Sequence, residues 1–286
     1  MSTVAPASVS TTAARQATPI GWPLRVWLGV EVLFGLAAIG TIFLRPQDSA
    51  TNFAWPIKPE VMAATLGGFY MSVAGIFVLS LFARTWQNVR VIVIPAAVFT
   101  AAMLLATFLH WDKFSVGTTP FYVWFASYLL PPPIFAILYG WHQKRSAPVG
   151  SALTQPITPG IRRFLQVNGL VLAGLALLIY IAPALLQQIG PWTFTPLTAR
   201  TLSSWLIGIG LMEAWMAREG DWQRIKLGTT MLIILPFALF FQLVRFSAQV
   251  QWSNIALWVL LLDVSVTALL FLYLWLTPKR RSAQPE

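Results

Sequence analysis

The chain has 286 residues, a formal net charge of +10 and no cysteine, and 57% of its residues are hydrophobic while only 10% are charged. A soluble globular domain carries about 25% charged residues, so this composition excludes an ordinary water-facing surface and makes the lipid bilayer the expected partner. The absence of cysteine excludes disulfides, thiolate nucleophiles and cysteine-ligated metals or clusters.

The first twenty residues are rich in Ser, Thr, Ala and Pro and carry one charged side chain, Arg15. Such a segment cannot bury an apolar face of its own, so residues 1–20 are expected to form a disordered cytoplasmic tail. The apolar run that follows has no convincing small-residue cleavage site, and we expect it to remain as the first membrane span rather than to be removed as a signal peptide.

Eight apolar segments then follow, each close to the roughly 20 residues that a helix needs to cross a bilayer. Charged residues, Pro or Gly bound each segment, as is typical of helix ends. The predicted spans are 23–44, 60–83, 91–110, 119–141, 163–186, 198–217, 225–246 and 254–276. The expected fold class is all-α, a polytopic membrane helix bundle whose two termini lie on the same side because the number of spans is even.

Basic residues give this bundle an orientation. Fourteen of the nineteen Lys and Arg residues fall on the side of the amino terminus, and five fall on the opposite side. Since basic residues concentrate on the cytoplasmic side of membrane proteins, both termini are predicted to be cytoplasmic.

An internal duplication is visible in the segment WQNVR at 86–90, which recurs as WQRIK at 222–226, an offset of 136 positions. Lys144 maps to Arg280 with the same offset. We therefore predict two tandem four-helix repeats, 21–146 and 162–279, with a cytoplasmic linker at 147–161 and a cytoplasmic tail at 280–286. Because four is an even number, both copies face the same way, and the pseudo-twofold axis is expected along the membrane normal, as in parallel-repeat transporters.

Small residues mark a candidate packing surface, because Gly68 and Ser72 in the second span correspond to Ser204 and Gly208 in the sixth. Small residues four positions apart let helix backbones approach closely in lipid. One interpretation is that the second and sixth spans meet near the axis through these residues. The alternative is that small residues are simply common in membrane helices.

Three acidic residues lie inside predicted spans, where a charged carboxylate costs several kcal/mol. Glu213 lies near the cytoplasmic end and is expected to pair with Arg218 or to be hydrated. Glu31 and Asp263 lie deeper, and two readings stay open for them. Each carboxyl group binds a cation, relays protons or holds a polar substrate group, or else it is protonated and joins neighbouring helices by a hydrogen bond.

The fourth span contains the triplet Pro131, Pro132 and Pro133, which removes three backbone donors and leaves the carbonyl groups near Ser127 to Leu129 without helical partners. Carbonyl groups without helical partners are tolerated at that depth where protein, water or a ligand supplies the hydrogen bond. At the offset of 136, Ser127 corresponds to Asp263, so the freed carbonyls of one half and the acid of the other are expected to face each other across the axis. The alternative is a kink required only for packing and satisfied by hydroxyls such as that of Tyr128.

These features define one candidate substrate or ion site, formed by Glu31, Asp263, Ser127 and Tyr128. His110 and His142 end spans on opposite sides, about 30 Å apart, which excludes a haem held by both. No nucleotide-binding, metalloprotease or hydrolase motif is present. We therefore predict no catalytic residue, metal, cofactor or nucleic-acid partner.

Three short segments marked by Trp and Pro carry a resemblance to known sequences: FAWPIKP at 53–59, LATFLH at 105–110 and PWTFTPLTAR at 191–200. Over roughly residues 22–281 the chain resembles an uncharacterised family of duplicated bacterial integral membrane proteins. The resemblance implies a location in the bacterial plasma (inner) membrane and supplies no functional residues.

Two classes of function remain open. A small-solute or ion permease is favoured by the parallel repeat, the broken fourth span and the buried acids. A non-catalytic structural or scaffold subunit of a membrane complex is favoured by the short loops and the lack of any motif. A scaffold is expected to co-purify with stoichiometric partners, whereas a permease is expected to be solitary or homo-oligomeric and to bind a small ligand.

Overall fold

A computed structural model describes residues 18–151 and 153–277, and in these residues the regular structure is helical. Among residues 18–151 and 153–277, extended backbone pairing is limited to two isolated bridges, Pro19 with Thr85 and Pro156 with Asp221. The carboxyl-terminal tail predicted at 280–286 and most of the amino-terminal one lie outside the described residues. The α-helices are α1 (Trp22–Ala38), α2 (Ser49–Asn52), α3 (Glu60–Leu81), α4 (Arg90–Leu109), α5 (Thr119–Leu129), α6 (Pro131–Gln143), α7 (Pro159–Ile181), α8 (Ala184–Ile189), α9 (Pro196–Glu219), α10 (Trp222–Arg245) and α11 (Ile255–Leu276).

Within the described residues, seven helical rods are long and apolar enough to cross a membrane. Helix α1 continues into a π-helical turn, Ile39–Phe43, and α5 and α6 together form one rod. The seven rods are Trp22–Phe43, Glu60–Leu81, Arg90–Leu109, Thr119–Gln143, Pro159–Ile181, Trp222–Arg245 and Ile255–Leu276. The chain is therefore an all-α protein with the helices of a multi-pass membrane protein.

Helix α9 is long, with 24 residues, but it is not among the seven apolar rods. Its sequence includes Arg200, Glu213, Arg218 and Glu219 and several Ser and Thr residues. Of its residues 17 are buried, whereas only four of the 23 residues of α7 are buried. Because α9 is covered by α7 and α4, its surface faces protein rather than lipid and does not need the same apolarity.

The helices pack in a pattern that repeats between the two halves of the chain. Helix α3 packs against α1 and α10, and α9 packs in the same way against α7 and α4. The rod of α5 and α6 packs against α4, just as α11 packs against α10. Each half therefore contributes one central helix that contacts both its own first helix and the third helix of the other half.

Backbone hydrogen bonds at one end of the bundle follow the same repeat. The N–H of Trp86 donates to the carbonyl of Thr18 at 2.7 Å, and the N–H of Trp222 donates to the carbonyl of Gln155 at 2.8 Å. The donors are 136 positions apart and the acceptors 137. In both halves the segment before the first helix is thus tied to the turn before the third.

Aromatic rings join the two central helices. Phe69 of α3 stacks on Trp205 of α9 with ring centroids 5.5 Å apart, and Trp205 lies 136 positions after Phe69. The second and sixth predicted spans therefore do touch, and at repeat-related positions.

The small residues of these helices, by contrast, face other partners. A Cβ atom on Gly68 would meet Leu239 of α10 at 3.3 Å, and one on Gly208 would meet Phe99 of α4 at 2.9 Å. The hydroxyls of Ser72 and Ser204 donate to carbonyls of their own helices. The interpretation that these four residues bring the second and sixth spans together is wrong, because the close backbone approach is made to the third helix of the opposite half.

The closest helix contact occurs between α7 and α9 at two glycines. A Cβ atom on Gly169 would lie 2.4 Å from the carbonyl oxygen of Gly210, and one on Gly210 would lie 2.5 Å from that of Gly169. Neither helix can carry a side chain there without moving away from the other.

We expect Gly169→Ala to lower the free energy of unfolding by about 1–3 kcal/mol, as overpacking of a close contact does. Gly174→Ala is the matched control, since it makes the same change in the same helix and its Cβ atom would have no neighbour within 4 Å. Thermal unfolding in detergent measures both variants. Equal melting temperatures for the two variants would contradict the close α7–α9 contact.

Candidate functional site

A cavity of about 470 Å³ lies between the helices of the first half and α9. Ligand sites in proteins commonly have volumes of about 300–1,000 Å³, so the cavity is large enough for a small organic molecule. Its walls are mainly apolar and rich in aromatic rings. The aromatic side chains include Phe34, Phe77, Phe99, Phe135, Trp124 and Trp205.

Glu31 of α1 is the one acidic residue among the described residues that line this cavity, and Arg45 is the one basic residue. Glu31 is 7% exposed, and its Oε1 atom has no hydrogen-bond partner in the described part of the chain. The indole Nε1 of Trp205 also lacks a partner there. A buried polar atom without a partner costs free energy, so the cavity contains polar atoms that a ligand can satisfy.

Two tyrosines form a polar contact in the cavity wall. The hydroxyl groups of Tyr70 and Tyr128 are hydrogen bonded to each other, and both side chains are buried. Tyr128 lies on α5, close to the proline triplet, whereas Tyr70 lies on α3. The pair therefore joins two helices of the cavity wall.

The rod of α5 and α6 is divided at the proline triplet. Helix α5 ends at Leu129 and α6 begins at Pro131, with Leu130 still in a helical conformation. Beyond the triplet, Phe135 of α6 packs edge-on against Trp27 of α1 with centroids 6.2 Å apart. Before it, Trp124 of α5 donates to the hydroxyl of Thr107 of α4 at 3.0 Å. Both parts of the rod thus pack against α4, and Phe135 adds a ring contact to α1.

Some lining residues of the cavity are exposed, namely Ala37 of α1 and Thr119 and Val123 of α5. The cavity therefore reaches the surface of the bundle between α1 and α5.

The structure brings together three of the four residues predicted as a substrate or ion site. Glu31, Ser127 and Tyr128 line the large cavity, whereas Asp263 lines a separate cavity of about 10 Å³ in the second half. The expectation that Ser127 and Asp263 face each other across the axis is wrong. They lie 136 positions apart in the sequence, and each lines the cavity of its own half.

The small cavity is the counterpart of the large one. Nine of the ten described residues that line it lie 136 or 137 positions after a residue that lines the large cavity. The pairs are Gly35 and Leu172, Tyr70 and Leu206, Val73 and Ile209, Phe77 and Glu213, Ala96 and Leu232, Phe99 and Leu235, Trp124 and Leu260, Ser127 and Asp263, and Tyr128 and Val264.

Glu213 has a different partner from the one expected. Its Oε2 atom accepts a hydrogen bond of 2.9 Å from Nδ2 of Asn168 on α7, and the side chain is 2% exposed. The guanidinium of Arg218 lies instead over the ring of Trp215, 5.4 Å from its centroid. The expectation that Glu213 pairs with Arg218 or is hydrated is wrong, because the side chain of Glu213 is buried and points toward α7.

Sequence reasoning missed Tyr70, Trp205 and Asn168. The sequence did contain a signal for Asn168, because this residue lies 137 positions after Glu31, which matches the offset between the two halves. Tyr70 and Trp205 had none, because their place in the cavity wall follows from how α3 and α9 pack.

The two histidines lie at opposite ends of the bundle. Nε2 of His142 accepts a hydrogen bond of 3.1 Å from the backbone of Gly21, and His110 contacts the guanidinium of Arg200 at 2.7 Å. Burial, and then the charge of Arg200, lower the pKa of His110.

In comparisons with known proteins, the chain matches no family model, no curated protein and no solved structure. The site must therefore be interpreted from its own geometry.

We expect Tyr128→Phe to lower the free energy of unfolding by about 1–3 kcal/mol, because it leaves the buried hydroxyl of Tyr70 without its partner. Removing both hydroxyls in Tyr70→Phe/Tyr128→Phe is expected to restore part of this loss. Unfolding of the two single variants and the double variant in detergent measures the coupling. Losses that simply add in the double variant would show that the two hydroxyls do not depend on each other.

Proposed function

We propose that this multi-pass membrane protein is a permease that binds a small, mainly apolar organic cation in the large cavity. The observation that carries the proposal is the buried carboxyl group of Glu31, which lines the cavity with an unpartnered oxygen.

The chemistry of the cavity wall favours a cation. A carboxylate without a counter-charge is costly in hydrocarbon, and an ammonium group of a ligand would supply that charge. Aromatic faces also attract cations, and the wall is rich in them. Arg45 lies 14 residues after Glu31, about 20 Å along a helix, so the one basic lining residue is far from the acid.

The location of the cavity favours transport over a purely structural role. A scaffold subunit binds its partners on its outer surface and has no use for an internal space of this size. A cavity that opens between α1 and α5 and leads to a buried acid suits a solute that enters from the membrane or from its outer face.

The topology that we propose is eight spans in two tandem repeats with both termini cytoplasmic, in a bacterial inner membrane. The contacts of the connecting segments support it. At one end Arg90 donates to the carbonyl of Ala147 at 2.8 Å, and at the other the N–H of Ser115 donates to the carbonyl of Ala54 at 2.9 Å. The connecting segments fall into two groups on opposite sides of the membrane only if α9 is counted as a span.

The topology can be tested by single cysteines, since the chain has none of its own. In intact cells a membrane-impermeant maleimide is expected to label Lys113→Cys and to leave Lys144→Cys and Arg281→Cys unlabelled until the cells are opened. Labelling of Lys144→Cys and Arg281→Cys from opposite sides would contradict the even number of spans.

The ligand class can be tested with tetraphenylphosphonium, an apolar cation that cannot lose its charge. We expect the purified protein to bind it, and Glu31→Gln to weaken binding at least tenfold, because the variant removes the counter-charge. Glu60→Gln is the control, since Glu60 pairs with Lys58 outside the cavity. Binding can be followed by isothermal titration, and uptake can be followed in proteoliposomes.

Two results would contradict the proposal. Equal binding of tetraphenylphosphonium by wild type and Glu31→Gln would exclude Glu31 as the counter-charge. Purification with a stoichiometric protein partner and no ligand binding would favour the scaffold role.

A further inference from the structure

The small cavity of the second half contains a polar cluster that the proposed function does not use. Glu213 of α9 and Asp263 of α11 both line the cavity. Nδ2 of Asn168 on α7 donates to Oε2 of Glu213 at 2.9 Å. Three helices thus bring two carboxyl groups and one amide to the same small region.

A second observation points to something bound in this cluster. The hydroxyl of Thr267, one helical turn after Asp263, lines the cavity and has no hydrogen-bond partner in the described part of the chain. Thr267 is only 2% exposed. The cavity volume of about 10 Å³ is close to the space that one water molecule needs.

The charges of the cluster do not balance. In the part of the chain that the structure describes, α7 and α10 contribute only apolar residues to the cavity lining, and α9 and α11 contribute no basic residue. The nearest basic residue along α9, Arg218, lies over Trp215, and Lys226 of α10 lies over the ring of Trp275. Two ionised carboxylates that line one small cavity in hydrocarbon repel each other, and one positive charge between them removes the repulsion.

We propose that Glu213 and Asp263 hold one proton between them, oriented by Asn168, and that this site is the second half's counterpart of the ligand cavity. The proton is bonded to an oxygen of one carboxyl group, which donates a hydrogen bond to one water in the cavity; that water donates to the other carboxylate and also contacts Thr267. No other atom is transferred, and the pair carries a single negative charge.

The proton site also has a physical link to the large cavity. Ile209, one turn before Glu213 on α9, lines both cavities. Protonation of Glu213 therefore acts on the helix that forms the common wall. Coupling between the two sites rests on the proposed function, whereas the proton site itself does not.

Infrared spectroscopy of the full chain in lipid tests the proton directly, because a protonated carboxyl group has its own C=O stretching band. We expect the wild type to show this band at neutral pH without any organic cation, and to lose intensity as the pH is raised. Glu213→Gln and Asp263→Asn are each expected to remove the part of the band that belongs to the pair, since either variant leaves one acid without its neighbour. Glu60→Gln is the control, since the Glu60 carboxylate pairs with Lys58 outside both cavities, and the whole band should persist in it.

The experiment has clear contrary outcomes. A band that is unchanged in both Glu213→Gln and Asp263→Asn would overturn the proposal, as would its loss on addition of Na⁺ at constant pH, which would assign the site to a metal cation. If either variant does not fold, Asp263→Ser is an alternative, since Ser127 is the residue at the equivalent position in the first half. The pH titration of the wild-type band needs no variant. Failure of tetraphenylphosphonium binding leaves these results unaffected, so the two proposals can fail separately.

Discussion

Every polar atom inside a lipid bilayer must find its partner within the protein or in something bound to it. A helix supplies hydrogen-bond partners for its own backbone. The polar groups that are hardest to satisfy are the carboxyl groups of buried Glu and Asp side chains. Glu213 meets it through Asn168, but one oxygen of Glu31 does not. That oxygen lies in the wall of the 470 Å³ cavity, and the proposed ligand site is therefore in the first half of the chain.

The two halves use the same arrangement of helices and fill it differently. Between the paired lining positions, Gly35 and Ala96 correspond to the larger Leu172 and Leu232, whereas Tyr70, Phe99 and Trp124 correspond to the smaller Leu206, Leu235 and Leu260. Side-chain size therefore changes in both directions. The contact of Gly169 with Gly210 draws α7 onto α9. One half retains room for an organic molecule, and the other retains room for about one water.

Helix α9 lines both cavities, and its carboxyl-terminal end joins the two halves of the chain. Its carboxyl terminus carries Glu219, which forms a fully buried ion pair with Arg90 at the start of α4. Removing one partner of such a pair leaves a buried charge uncompensated, at a cost of about 3–5 kcal/mol. The pair therefore fixes the first half against the second close to the segments that precede α4 and α10.

The sequence by itself determined the class of protein and most of the helices, because apolar runs of membrane length and prolines act locally along the chain. It also contained the offset of 136 that relates the two cavities, and it identified Glu31, Ser127 and Tyr128. Only the tertiary structure decided which residues meet. It separated Asp263 from Ser127 and turned Gly68 and Gly208 toward the opposite half. It also brought Tyr70 and Trp205 to the cavity wall. The physical reason is that the direction in which a helical side chain points depends on packing between helices that are distant in the sequence.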